Sequence, residues 1–286
     1  MARKNKKRKQ EQKPIEPTGE QQLKNEEVWN DGNLLTFGGH LEVFRQMLFR
    51  ILGVAGLIAV VVFCLKDITW SILMAPSEWD FCTYRWIETA MQAVGIDFRF
   101  EEYHVNLIAT DLSSQFMTHI TTAVYLGLLG ASPYILYELF RFISPALYEN
   151  ERKYSVQVAG IIYMLFLLGV LMSYFVLFPI SFRFLGTYSV SAKVVSNITL
   201  DSYISTFVSL TLVMGVVFQL PVIAFFLGRL GVVTSTILAA YRKHAFIAIM
   251  LVAAIITPPD LMTLILVTIP LYLLYEVSIR VVKWVE

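Results

Sequence analysis

The residues best equipped for chemistry lie in one stretch, residues 140–154, which reads FRFISPALYENERKY. It joins two long apolar runs and carries two carboxylates, Glu149 and Glu151, close to Phe142. Carboxylates beside a membrane suit the capture of a cation, and an arginine guanidinium can meet one in a two-point fork that lysine cannot form. Ser144 and Pro145 read as an N-cap followed by proline in the first turn, so a helix is expected to start there. On that helix Glu149 has Lys153 four residues later, in the order that favours a local ion pair. Glu151 has Leu147 and Ser155 at those offsets. It is the better candidate for an incoming cation, with a plain solvated carboxylate as the alternative.

Three further places carry polar groups in apolar surroundings. Before the first apolar run, Glu42 precedes Arg45 by three residues on an amphipathic helix, where the two can pair with each other or serve a site. Gln219 and Pro221 interrupt a later run. An amide in hydrocarbon needs hydrogen bonds, so Gln219 is either a link within the bundle or a docking point for a partner helix. Pro258 and Asp260 form a turn between the last two runs, with turn capping the expected role of Asp260. Zinc-protease, serine-hydrolase and P-loop motifs are absent, and no span carries paired aspartates. No enzyme activity, cofactor or metal is expected.

The elements that must position these groups are membrane spans. The chain is 56% hydrophobic and 16% charged, against about 25% charged in a soluble domain, and its mean hydropathy is +0.61. Two cysteines give no disulfide framework. Residues 1–38 are polar and rich in lysine, with no apolar core of a cleaved leader, and read as a disordered basic tail. Residues 39–286 read as one membrane domain. A spanning helix takes roughly 20 apolar residues, which fits runs at about 47–65, 116–139, 156–178 and 204–227. Shorter runs at about 245–256 and 261–275 are separated by Thr257-Pro258-Pro259-Asp260, where two prolines end a helix. At about 1.5 Å per residue these two fall short of a bilayer core of about 30 Å, and a locally thinned membrane is expected beside them.

Lysine and arginine crowd the tail, the connections after runs two and four, and the C-terminus, while the long connection 66–111 is acidic. The positive-inside rule then gives an all-α protein of six spans with both termini in the cytosol. Pro133, Pro179, Pro221 and Pro270 should kink the spans into a concave, cup-like bundle. In the 66–111 connection, Trp79, Tyr84, Ile87, Met91 and Val94 approximate helical spacing, which fits a cap packed on the bundle or an element lying on the membrane surface.

These motifs resemble the TatC family, the multi-span receptor of the twin-arginine translocase. The family's H-L-x-E-L-R-x-R-L is met by H-L-E-V-F-R-Q-M-L from His40, F-x-x-P-A-L-Y-x-x-E-R by residues 142–152, F-[EQ]-x-P by residues 218–221, and T-P-P-D by residues 257–260. The resemblance covers roughly residues 40–280. It implies export of folded proteins independently of the Sec route, in a bacterial cytoplasmic (inner) membrane, driven by the proton gradient. It implies recognition of twin-arginine signal peptides through Glu151 and Phe142, and partnership with single-span TatA-type and TatB-type subunits in an oligomeric complex among membrane lipids, without nucleic acid. The family's leading carboxylate aligns with Val43, whereas this chain has Glu42 one place earlier. That shift turns the group by about 100° on a helix. Gln219 is neutral, which removes a charged mechanism at that position. A small-molecule secondary transporter is the alternative function; it would need more mid-membrane polar groups than Gln219 and scattered hydroxyls.

Overall fold

The computed structural model describes residues 37–143, 155–189, 191 and 197–286. The basic tail before Phe37 and the expected helix start at Ser144-Pro145 lie outside the described residues. The chain divides into two compact units, Met1–Leu48 and Phe49–Glu286. In the first, the described residues form the beginning of helix α1 (Phe37–Cys64).

The second unit holds the remaining elements and is helical almost throughout. After α1 come α2 (Lys66–Met74), a 3₁₀ turn (Ala75–Ser77), α3 (Cys82–Ala93) and the short strand β1 (Leu107–Ile108). Next are α4 (Ser114–Gly130), α5 (Ser132–Ile143), α6 (Ser155–Met172), a π-helical turn (Ser173–Leu177), α7 (Phe178–Thr187) and β2 (Ile198–Thr199). The chain ends with α8 (Leu200–Val217), α9 (Leu220–Arg229), α10 (Ser235–Ala240), α11 (Arg242–Ile256) and α12 (Leu261–Val285). Four helical stretches, Leu41–Cys64, Ala159–Thr187, Leu200–Arg229 and Leu261–Val285, are long and apolar enough to cross a membrane. A fifth span results if α4 and α5 count as one, although a 52° bend separates them.

The prolines account for the breaks. A proline removes one N–H and collides with the carbonyl four residues back. Pro133 stands just inside α5 and Pro221 just inside α9, each where the preceding helix has ended. Pro179 follows the π-helical turn, whereas Pro270 is carried inside α12. In hydrocarbon the freed carbonyls need new donors. Pro179 frees the Phe175 carbonyl, and the Thr83 hydroxyl of α3 donates to it. Outside the spans, in the 66–111 connection, Pro76 frees the Ile72 carbonyl, and the Tyr174 hydroxyl donates to it at 2.8 Å.

Two features differ from the sequence reading. The last helix does not stop near residue 275. It is a 25-residue helix ending at Val285, long enough at about 1.5 Å per residue to cross a full bilayer core. Only the 15-residue α11 is short, so the mismatch argument for a thinned membrane loses half its basis. The spacing in the 66–111 connection also worked out differently. Trp79 precedes α3 and Val94 follows it, both exposed, while Tyr84 is buried.

The connection is nonetheless pinned down. The Tyr84 hydroxyl donates to the Pro179 carbonyl at 2.9 Å. The Arg183 guanidinium lies over the rings of Phe100, Tyr103 and Tyr84, at 4.4, 4.5 and 5.0 Å from their centroids, and donates to the Glu101 carbonyl at 2.6 Å. Burial pushes the Tyr84 hydroxyl pKa well above its ordinary value. β1 and β2 add a short parallel pairing, Leu107 to Ile198 and Ile108 to Thr199.

Beneath this cap the core is built around Leu177, Phe178, Tyr203, Ile204, Leu210, Met214, Val267 and Leu271. Phe178 meets Tyr203 and Phe207 edge to face, both with centroids 5.0 Å apart, a favoured ring geometry. Small residues let backbones close in. A Cβ at Gly127 would fall 2.6 Å from that of Ala59, and one at Gly169 would fall 2.5 Å from the Met214 carbonyl oxygen. Thr83→Val removes a hydroxyl at nearly constant shape. It should lower stability by about 1–3 kcal/mol, the cost of an unsatisfied buried acceptor, in thermal unfolding of the detergent-purified protein, with Thr83→Ser close to the parent. An unchanged midpoint for Thr83→Val would show that the Phe175 carbonyl does not depend on it.

Candidate functional site

In the first unit, Glu42 is engaged by its own helix. The Arg45 guanidinium donates to Glu42 Oε1 at 2.7 Å, and the Gln46 amide donates to the same oxygen at 3.1 Å. The groups are exposed. A solvent-exposed (i, i+3) pair of this kind is weak, so a competing guanidinium can displace it.

In the second unit, Phe142 stands in the last turn of α5. Glu149 and Glu151, along with Lys153, lie outside the described residues, so the structure brings nothing to them and takes nothing away.

Gln219 sits between α8 and α9, where Pro221 restarts the helix. Its Nε2 donates to the Ile162 carbonyl of α6 at 3.2 Å, which ties two spans together. Its Oε1 is buried and has no hydrogen-bond partner among the described residues. The side chain is thus half link and half open acceptor, and both roles considered for it remain compatible with the geometry.

At the 257–260 turn the Asp260 carboxylate accepts from the Thr263 backbone N–H at 2.7 Å and caps α12. The Pro258 carbonyl accepts from the Asp260 N–H at 2.7 Å, closing the turn. No group of His, Cys, Asp and Glu among the described residues could hold a metal ion.

The sequence reading passed over a second polar cluster. Glu138 of α5 is only 6% exposed. Its Oε1 accepts from the Tyr134 hydroxyl at 3.0 Å. The Arg50 Nη1 lies 3.6 Å and the Arg141 Nη1 4.0 Å from the same oxygen. A carboxylate near the end of an apolar run, three residues before an arginine, was the available signal; it was masked by the more conspicuous carboxylates that follow. A second missed contact is the fork from Arg242 to Glu276, at 2.8 and 3.1 Å, joining α11 to α12. Near it the C-terminal Glu286 caps α10 through the Ser235 hydroxyl and backbone N–H, which together hold its carboxyl below the usual range.

Comparison with known proteins gives this architecture a family. The model of the Sec-independent protein translocase protein (TatC) family matches residues 39–270. The chain belongs to the TatC family. It is 32% identical over 261 residues to the TatC protein of Blattabacterium sp. subsp. Periplaneta americana, covering 90% of this chain and 98% of that one. It is 39% identical over 183 residues to TatCy of Bacillus subtilis, covering 64% of this chain and 72% of that one. Among solved structures it is similar to the crystal structure of a twin-arginine translocase receptor, TatC, with a TM-score of 0.69 and 29% identity, covering 86% of this chain and 99% of that one. The family fixes the chain as a component of the Sec-independent protein translocase, an integral membrane protein of protein transport.

Within this TatC-family fold, the cap at Asp260 makes a direct prediction. Asp260→Ala should cost about 0.5–2 kcal/mol, as for other lost N-caps, while Asp260→Asn should keep most of it, read from thermal unfolding in detergent. Equal loss in both would mean that the charge of Asp260, not its capping oxygen, is what the turn uses.

Proposed function

We propose that this chain is the receptor of its translocase, taking twin-arginine signal peptides of folded cargo at its cytosolic face. The observation that carries this reading is the likeness, over 86% of the chain, to a solved protein described as the twin-arginine translocase receptor. The residues proposed for recognition are Glu151, Phe142 and Glu149; Glu42 and Arg45 of the leading helix are further candidates. Glu151 forms the fork with a signal arginine, and Phe142 lines the place where the peptide's apolar part begins. Glu42 contributes less than the family's leading carboxylate, because it is one residue out of register and already accepts two hydrogen bonds in its own helix.

The rest of the proposal concerns arrangement. The chain crosses a bacterial inner membrane six times with both termini in the cytosol, α11 serving as the fifth span despite its length. Single-span TatA-type and TatB-type subunits join it, with the break at Gln219 and Pro221 as the docking point for a partner helix. A protein of this size supplies recognition, and the partners supply the passage.

Energetically, a charge-assisted hydrogen bond contributes about 1.5–3 kcal/mol, and each 1.4 kcal/mol is about tenfold in affinity. Glu151→Gln keeps shape and removes the charge. It should reduce crosslinking of a twin-arginine signal peptide to the purified protein about tenfold or more, with thermal stability unchanged. Undiminished crosslinking would remove Glu151 from the site.

A further inference from the structure

The cluster around Glu138 is not part of the proposed recognition site, and among the described residues its charges do not balance. Arg50 and Arg141 share one carboxylate oxygen, and neither meets it in a fork. An arginine has five N–H donors; among the described contacts each of these uses one, at long range. The carboxylate is buried, with its side chain 7% exposed, whereas the arginine side chains are 49% and 63% exposed. Among the described residues one positive charge is therefore left over, facing outward from a fixed internal carboxylate.

Position gives the surplus its meaning. Arg50 immediately precedes the uninterrupted apolar residues 51–64 of α1, and Arg141 lies in the last turn of the apolar α5. Each arginine thus borders one end of an apolar run, a position that suits contact with lipid headgroups. Along α1, Leu57 and Val61 follow Arg50 at helical spacing on the same face; they are 71% and 50% exposed. This gives a cationic pair at the membrane edge with an open apolar track leading away from it into the bilayer.

We propose that Arg50 and Arg141 form a binding site for the phosphodiester of an anionic phospholipid. Glu138, steadied by Tyr134, is the positioning residue that holds the two guanidinium groups together. A phosphodiester carries one negative charge, which cancels the surplus, and its two unesterified oxygens accept from both arginines in charge-assisted bonds. The acyl chains lie along Leu57 and Val61. A free phosphate would satisfy the arginines but would leave the apolar track unused.

The test uses the detergent-purified full chain in native mass spectrometry, titrated separately with phosphatidylglycerol, phosphatidylethanolamine and inorganic phosphate. Phosphatidylglycerol should bind saturably, about tenfold or more tighter than phosphatidylethanolamine, and inorganic phosphate should bind far more weakly. Arg141→Gln, and the double change Arg50→Gln with Glu138→Gln, should each weaken phosphatidylglycerol binding about tenfold, the size expected for one lost charge-assisted bond. The double change removes a cation without leaving the buried carboxylate unpaired, and thermal melting of both variants checks that the fold is retained. Phosphatidylglycerol binding that is the same in the parent and both variants would overturn the site. Equal binding of the two lipids would overturn its anion preference, and inorganic phosphate binding as tightly as phosphatidylglycerol would overturn the lipid as ligand.

Discussion

A polar group in hydrocarbon must find its partner inside the protein, because no water is there to supply one. This chain tests that constraint repeatedly by carrying prolines within its spans. The answers are specific. A threonine from the 66–111 connection covers the Phe175 carbonyl freed by Pro179. Gln219 at the α8–α9 break reaches the Ile162 carbonyl of a neighbouring span. The long connection is thus part of the membrane fold, since it completes a helix that proline would otherwise leave short of a donor. The guanidinium of Arg183, stacked among Phe100, Tyr103 and Tyr84, holds that connection in place.

Much of this was legible in the sequence because it follows from period and composition. Apolar runs of spanning length, the double proline of the 257–260 turn and the helix-starting character of Asp260 are local signals. What was not legible depended on contacts distant in the chain. Nothing local to Thr83 says that its hydroxyl belongs to Phe175, or that the spacing of Trp79 and Val94 would not place them on α3. The last helix outran its apolar stretch because Glu276 is paired with Arg242 of α11, and Glu286 and Ser235 tie its end to α10. A charged residue with a fixed partner need not end a helix, and a hydropathy run cannot reveal the partner. Glu138 was overlooked for a related reason. Its significance lies in Arg50, on another helix, and in its burial, neither of which is visible locally.

The same constraint explains why a receptor of this family would use carboxylates at the membrane edge. There a carboxylate is partly stripped of water, so a guanidinium in the correct fork gains more than it would on an open surface. The change of register at Val43 and Glu42 shows how sensitive such a device is. A single residue turns the side chain by about 100°, and in this chain the displaced Glu42 has settled on Arg45 and Gln46. On the proposed reading, recognition would then rest chiefly on Glu149 and Glu151, the carboxylates between α5 and α6.

The most direct test of the central claim, that recognition rests on a carboxylate–guanidinium fork, is export in cells whose only TatC-family protein is this chain. The same folded cargo would carry a signal peptide with either paired arginines or paired lysines. The account predicts export with the arginine pair and a loss of about one to two orders of magnitude with the lysine pair. Equal export of both would contradict it.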